Sequence, residues 1–345
     1  MHKNTFYNQH TTLLKIRVAI NGFGRIGRNV FRLLLHHPSI EVVAINDLAD
    51  HKTMSHLLKY DSIHGILPHQ VKFDDERIFV DDKSYWFFHE KDIQNLDWKS
   101  LNIDIVIEST GKFKTYSEAH EHIIAGAKKV ILSAPPDDDS IKTVVLGVNE
   151  HILTGDEIVI SNASCTTNNA APMMKVINDL CGIEQAYITT VHSFTTDQSL
   201  HDQPHKDLRR ARGASQSIVP TTTGAAKALT KIFPSMIGKI GGGGIRVPVP
   251  DGSLTDITCY VQRAVSIEEL NTAFKDASEN ELKGILSYTE DPIVSVDILG
   301  NPTSCLFDSQ LTSVIDRMVK VVGWYDNEIG YSSRIIDLIV YISNK

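Results

Sequence analysis

Apolar positions follow two different periods along this chain. Residues 16–21, IRVAIN, form a β-branched run that stops at glycine, which predicts a buried strand. Residues 28–37 carry apolar side chains at helical spacing and end before Pro38. Residues 41–46, EVVAIN, predict a second strand closed by Asp47. Strand, glycine turn, helix and strand within about 30 residues make the unit from which parallel sheets are built. Further strands are expected at 103–108, 129–132 and 157–160, with a helix over 118–125. This alternation predicts an open, mostly parallel α/β sheet up to residue 164.

From Cys165 the texture changes. A helix is expected to about residue 180, followed by longer strands of alternating Val, Ile and Thr at 185–192 and 255–265. Between them lie a polar loop, 193–214, and a glycine run, 241–244. Strands without intervening helices predict a second domain rich in antiparallel pairing. Residues 331–343 return to helical periodicity.

At 345 residues the chain has room for two domains of about 150 residues, each able to bury a core without staples. With 42% hydrophobic and 22% charged residues, disorder, collagen and coiled coil are excluded as whole-chain descriptions. A net charge of −8 gives no overall attraction to nucleic acid or to a membrane surface. No apolar run approaches the roughly 20 residues of a membrane helix, and the polar residues 1–14 lack the core of a secretory signal. Cys165, Cys181, Cys259 and Cys305 form no pair or Cys/His group at zinc spacing, so no metal site is expected. Without an export signal, reduced thiols in a cytoplasmic compartment fit best.

The first candidate chemistry is a dinucleotide site. Gly22, Gly24 and Gly27 follow a strand and open a helix. The first allows a tight turn, the second lets backbone approach a pyrophosphate, and the third lets helix and strand pack closely. The helix N-terminus adds free N–H groups and a positive dipole. Asp47, twenty residues beyond Gly27, can accept hydrogen bonds from ribose hydroxyls and would repel a 2′-phosphate, which favours NAD over NADP.

The second is a cysteine among small polar residues. In SNASCTTN, residues 161–168, Cys165 opens a helix whose N–H groups and dipole are expected to favour the thiolate. Ser164 could cap that helix, and the Cys165 N–H could serve an oxyanion. His192, at the end of a strand, is a candidate base. The spacing of 27 residues fits one helix and one returning strand, though spacing alone does not pair the two. Thr195, Thr196, Asp197, Arg209, Arg210, Arg212, residues 221–224 (TTTG) and Arg246 offer the groups that bind phosphate. A solvated face or an intersubunit salt-bridge loop is the competing explanation for some of these arginines.

With these residues the chain resembles phosphorylating glyceraldehyde-3-phosphate dehydrogenases from about Lys15 to its C-terminus. The shared landmarks are INGFGRIGR (20–28), SNASCTTN (161–168), the segment after His192, TTTGAAKA (221–228), RVP (246–248) and WYDNEIGYS (324–332). The resemblance implies a Rossmann-type doubly wound parallel sheet over residues 15–164. It implies an α+β catalytic domain with a largely antiparallel sheet over 165–326, and a C-terminal helix, 327–345, that returns to the first domain. A cytoplasmic homotetramer of glycolysis or gluconeogenesis is implied as well. Carried over, Cys165 is the nucleophile and His192 the general base. Ser164, Thr166, Thr223 and Gly224 correspond to the inorganic-phosphate side, and Thr195, Asp197 and Arg246 to the side holding the substrate's own phosphate. Arg210 corresponds to a further phosphate-contacting arginine, with Arg209 the alternative if the alignment slips by one. Arg25, Ile26, Asp47, Ser133 and Asn327 correspond to cofactor contacts, and Pro204 to a proline that accompanies NAD preference.

Some positions depart from the pattern. Asn169 replaces a second cysteine, Lys91 stands where an arginine often contacts the adenine side, residues 241–244 replace a bulkier segment, and residues 1–14 are unmatched. The implied reaction oxidises glyceraldehyde 3-phosphate with NAD and inorganic phosphate to 1,3-bisphosphoglycerate, through a cysteine thiohemiacetal and thioester. Erythrose-4-phosphate dehydrogenase shares the nucleophile and base and stays an alternative, which an intact Thr222-Thr223-Gly224 turn disfavours. An idle NAD-binding protein would leave Cys165 and His192 unexplained.

Overall fold

The computed structural model describes residues 15–345; the unmatched polar residues 1–14 lie outside the described residues. Nine strands form the first sheet, in the spatial order Lys142–Thr143, Val159–Ser161, Lys129–Leu132, Ile105–Glu108, Ile16–Asn21, Ile40–Asn46, Lys83–Phe88, Arg77–Val80 and Val71–Phe73. The first seven pair in parallel, and the last two add an antiparallel edge. Helices α1 (Arg25–Leu34), α2 (His51–Lys59) and α3 (Tyr116–Ile124) belong to this half. Strand Ile16–Asn21 runs through the middle, covered on both faces, which is why its apolar residues are continuous rather than alternating. The chain leaves it toward Ile40–Asn46 on one side and reaches Ile105–Glu108 on the other, so a crevice opens at its carboxyl end.

Helix α1 begins three residues before the expected 28–37 span and ends three residues early. Apolar periodicity does not mark its start, because the first turn follows directly from Gly24. At its end, His37 N–H turns back onto Leu34 O at 3.0 Å as the chain prepares for Pro38, whose ring disfavours helix in the preceding residue. In α3, Thr115 and Glu118 form a capping box, which fixes a start earlier than the apolar pattern shows.

Eight strands form the second sheet, seven of them in the order Val219–Thr221, Ile240–Val247, Ile183–Ser193, Ser253–Val261, Met318–Tyr325, Cys305–Asp308, Leu286–Thr289, with Ser313–Ile315 beside Met318–Tyr325. Most pairs are antiparallel; Ile183–Ser193 with Ile240–Val247 and Leu286–Thr289 with Cys305–Asp308 are parallel. Helices α4 (Cys165–Cys181), α5 (Ala225–Ile232) and α6 (Ile267–Glu279) cover its inner face, where Met173, Ile177, Leu270 and Phe274 pack on Ile188, Ile257, Phe307 and Val321. The rings of Phe274 and Phe307 stack at 3.8 Å. The glycine run forms the middle of strand Ile240–Val247. A Cβ on Gly241 would touch the Tyr187 ring at 3.0 Å, and one on Gly242 would meet Ile188 O at 2.9 Å, so the missing side chains let two strands and an aromatic ring close up.

The last helix, α7 (Ile329–Ser343), carries Ile335, Leu338 and Ile339 into one buried cluster with Val30, Phe31 and Leu34 of α1. The chain thus ends against the half in which it began.

Candidate active site

At the carboxyl end of strand Ile16–Asn21 lies a cleft of about 450 Å³, bordered by Asn21, Gly22, Gly24, Asp47, Ser109 and Thr110. Gly22 has φ +95°, and a Cβ there would meet Thr110 N at 2.6 Å. A Cβ on Gly27 would lie 2.1 Å from Gly22 O. Gly24 differs, since a Cβ there meets nothing within 4 Å, leaving the open space that a pyrophosphate needs. The Arg25 and Ile26 N–H groups open α1 and have no partner inside it. Asp47 accepts from Phe23 N–H at 2.7 Å and Ala49 N–H at 3.0 Å, which holds the carboxylate beside the cleft with lone pairs to spare. These features fit a dinucleotide.

Not every expected cofactor residue borders this cleft. The Arg25 side chain turns away to ion pairs with Asp61, at 2.6 Å, and with Glu328, so only its backbone faces the nucleotide side. Ile26 packs on the core. Ser133 follows strand Lys129–Leu132, with its N–H on Glu108 O at 2.9 Å. Asn327 is buried, and its Oδ1 accepts from Ser193 Oγ at 2.9 Å and Ser253 Oγ at 2.7 Å, which leaves its amide NH₂ to face outward from that pair. Lys91, left out of the expected set, borders the cleft.

The second depression, about 190 Å³, brings together Ser164, Cys165, Thr166, His192, Arg210, Thr223, Gly224 and Arg246. Ala163 makes the turn into α4 with φ +58°, a left-handed value rare for a residue with a side chain. Ser164 then caps α4 by accepting from Thr167 N–H at 3.1 Å. The turn and cap put Cys165 at the first helical position, with Sγ 3.4 Å from His192 Nε2. His192 Nδ1 lies 2.8 Å from Ser193 O and 2.7 Å from Arg246 Nη1. Nδ1 thus has both an acceptor, Ser193 O, and a donor, Arg246, in reach, and Arg246 Nη1 also donates to Ser193 O at 2.8 Å; the tautomer with its proton on Nδ1 is the one that leaves the Nε2 lone pair toward the sulfur.

The thiol differs from expectation. Burial pushes it up, against the lowering effect of the Arg246 cation and the Thr166 N–H, and the net direction is upward rather than toward a resting thiolate. Burial and Arg246 also push His192 down to about 3, so the imidazole is neutral. Sequence reasoning missed Tyr325, whose hydroxyl lies 3.0 Å from both Thr166 Oγ1 and Thr190 Oγ1 and whose ring stands edge-on to His192. A tyrosine at the end of an apolar strand carries no signal beyond its place in WYDNEIGYS. The other three cysteines are buried and free.

The anion-binding residues separate. Arg210 lines the depression, donating to Thr221 Oγ1 at 2.9 Å and to the Asp197 carboxylate at 2.5 Å. Arg209 does not line it and is exposed, and Arg212 pairs with Asp202 on the surface at 2.8 Å. Asp197 is held against Arg210, and neither Thr195 nor Asp197 borders the depression.

Comparison with known proteins gives the family. The NAD binding domain of glyceraldehyde 3-phosphate dehydrogenase matches residues 16–116, and the C-terminal domain of the same enzyme matches residues 164–327. Glyceraldehyde-3-phosphate dehydrogenase 2 of Streptomyces avermitilis is 54% identical over 335 residues, 96% of this chain and 100% of the relative. The Geobacillus stearothermophilus enzyme is 52% identical over 96% of this chain and 99% of its own length, and glyceraldehyde-3-phosphate dehydrogenase 1 of Bacillus subtilis is 50% identical with the same coverage. A nucleotide cleft, a cysteine facing a histidine and full-length identity to these enzymes lead to one conclusion: the chain belongs to the glyceraldehyde-3-phosphate dehydrogenase family.

Proposed function

We propose that this chain oxidises and phosphorylates glyceraldehyde 3-phosphate to 1,3-bisphosphoglycerate with Cys165 as nucleophile and His192 as general base. The observation that carries the residue assignment is Cys165 Sγ facing His192 Nε2 at 3.4 Å within an arginine-lined depression. The Cys165 thiol gives its proton to His192 Nε2, the sulfur adds to the aldehyde carbon, and the proton passes to the new oxygen to complete a thiohemiacetal. His192 Nε2 takes the hydroxyl proton as the C–H bond breaks, a role usually worth about 10²–10⁴ in rate. NAD, when bound, supplies the acceptor for the hydride. The Cys165 N–H supports the developing oxyanion, at about 10²–10³ for such a donor. Phosphate then attacks the thioester carbon, the C–S bond breaks and the thiolate is restored. Ser164, Thr166, Thr223 and Gly224 lie on the inorganic-phosphate side, Thr195, Asp197 and Arg246 on the side of the substrate's own phosphate, and Arg210, held by Asp197, is a further phosphate contact. Gly22, Gly24, Gly27, Asp47 and the N–H groups of Arg25 and Ile26 hold the dinucleotide, with Ser133 and Asn327 toward its nicotinamide end. The relatives do not favour erythrose 4-phosphate as the substrate.

The same proposal divides the chain into a nucleotide domain, 15–164, a catalytic domain, 165–326, and a returning helix, 327–345. The packing of α7 on α1 supports that division. It further includes a homotetramer in the cytoplasm, for which the family resemblance is the support; no described helix is long and apolar enough to cross a membrane. Light scattering that returns a mass near 38.4 kDa would remove the tetramer. The Cys165→Ala variant tests the nucleophile: it should lose NADH formation and keep NAD binding within about twofold, because Cys165 lies outside the nucleotide cleft. Turnover at the wild-type level would remove Cys165 from that role.

A further inference from the structure

One buried carboxyl outside the reacting groups has no partner for a charge. Asp251 is 1% exposed. Its Oδ1 accepts from Gly252 N–H at 2.8 Å, and its Oδ2 has no hydrogen-bond partner. It faces His64 and Asp326, with one oxygen or nitrogen from each of the three lying within 4.8 Å of the others. Asp326 accepts from Gly300 N–H on Oδ2 at 2.7 Å and from the Glu328 and Ile329 N–H groups on Oδ1 at 2.9 and 2.7 Å, which leaves a lone pair on Oδ2. His64 Nε2 is 2.9 Å from Glu328 Oε2 and 3.7 Å from Asp251. The nearby cations are committed elsewhere, Arg25 to Asp61 and Glu328, and Arg28 to Phe23 O at 2.6 Å.

We propose that Asp251 is a positioning residue for the cofactor side of the active site, acting as a neutral carboxylic acid whose Oδ2–H bridges to Asp326 and so holds Asn327. The proposal rests on Asn327 as a cofactor contact. Two buried carboxylates side by side do not both ionise, and one proton between them removes the repulsion and supplies the missing donor. Asp326 has three N–H donors that favour its charge, whereas Asp251 has one, so Asp251 carries the proton. Burial, then the charges of Asp326 and Glu328, push Asp251 well above the ordinary carboxylate range. A divalent metal is the other occupant that a His/Asp/Asp group suits. It is disfavoured here because His64 Nε2 points at Glu328, at 2.9 Å, rather than at Asp251, at 3.7 Å.

Both ends of this pair adjoin Asn327. Asp326 precedes it in sequence, and Asp251 leads through Gly252 to Ser253, whose hydroxyl donates to Asn327 Oδ1 at 2.7 Å. Gly252 has φ +86°, and a Cβ there would lie 2.3 Å from Ser295 O, so the turn cannot absorb a displaced Asp251. The charged and titratable groups facing Asp251 are Asp326 and Glu328 before α7, His64 after Tyr60–Asp61, Arg25 and Asp61 behind Glu328, and the Cys165 thiol at the start of α4. Loss of the proton would set Asp251 against Asp326 and Glu328 on either side of Asn327, and its charge would also disfavour the Cys165 thiolate.

The test is steady-state kinetics of the full chain and its Asp251→Asn and Asp251→Ala variants from about neutral to about pH 10. Asparagine keeps a neutral donor in the same shape. In wild type the KM for NAD should climb on the alkaline side by about fivefold or more, while Asp251→Asn should stay flat. Asp251→Ala, which lacks the donor, should raise the neutral-pH KM about fivefold with kcat within about twofold. Identical KM profiles in wild type and Asp251→Asn would overturn the proposal. If Asp251→Asn does not fold, infrared spectra of the wild type decide: a protonated-carboxyl band at neutral pH that vanishes on alkaline titration supports it, and no such band overturns it. Calorimetric binding of zinc at submicromolar concentration, abolished by Asp251→Ala, would put a metal in place of the proton. Asn327→Ala separates the two ideas, since an unchanged KM for NAD there removes the cofactor contact while the carboxyl band stands or falls alone.

Discussion

A half-buried thiol needs positive charge nearby before it can ionise. Burial raises Cys165, and the Arg246 cation is the largest opposing influence. Removing that cation, as in Arg246→Ala, moves the thiol further up and lowers the thiolate fraction at neutral pH. Alkylation of Cys165 by iodoacetamide in the cofactor-free enzyme should therefore slow by about 3- to 10-fold, the effect of half to one pKa unit. An unchanged or faster reaction would mean that Arg246 does not tune the Cys165 thiol. At this scale the sequence is uneven. Cys165 is legible because small polar residues and a helix start surround it. Its upward shift is not, because burial comes from elements remote in sequence, including strand Met318–Tyr325. Tyr325 is silent for the same reason: its bonds to Thr166 and Thr190 span 159 and 135 positions. The strained Ala163 is unmarked because alanine gives no turn signal.

Glycines in the first turn have separable duties, and substitution tells them apart. Gly27→Ala places a Cβ 2.1 Å from Gly22 O, backbone that cannot yield cheaply. It should cost about 1–3 kcal/mol or more in urea unfolding, as overpacking does. Gly24→Ala meets no protein atom within 4 Å, so stability should stay within about 0.5 kcal/mol while the KM for NAD rises about tenfold. Equal destabilisation by both changes would contradict the division of roles. Elements were legible where local pattern and burial agree, as in Ile16–Asn21, Lys129–Leu132 and α4. Their edges were not, because caps such as Thr115 and Gly24 are polar or small and fall outside an apolar count. The glycine run carries no strand signal and forms a strand in which Tyr187 and Ile188 fill the space its side chains would take. That compensation lies on a neighbouring strand, about fifty residues away in sequence.

Across the whole molecule, Arg25 ties the first βα turn to Asp61 and to Glu328 at the mouth of α7, a link that no local pattern announces. Burial would raise Asp61, but the Arg25 guanidinium and the His64 and Ile63 N–H groups hold it at about 2, below its ordinary 3.8. A folded-state value below the unfolded one stabilises the protein above the ordinary value, and that stability fades as pH falls toward the lower one. The shift corresponds to roughly 2 kcal/mol in total, of which about 1 should be gone at about pH 3. Urea unfolding at about pH 5 and about pH 3 should show wild type losing about 1 kcal/mol more than Asp61→Asn. Equal losses would remove Asp61 from the acid response. The parallel and antiparallel halves were legible from the change of period at Cys165, but their joint by α7 and Arg25 depends on contacts that span nearly the whole chain. The central claim is that phosphate, not water, resolves an enzyme-bound thioester. NADH absorbance with purified enzyme, NAD and glyceraldehyde 3-phosphate, with and without inorganic phosphate, tests it directly. Sustained turnover that requires phosphate is the predicted result, and an equal rate without phosphate would contradict the account.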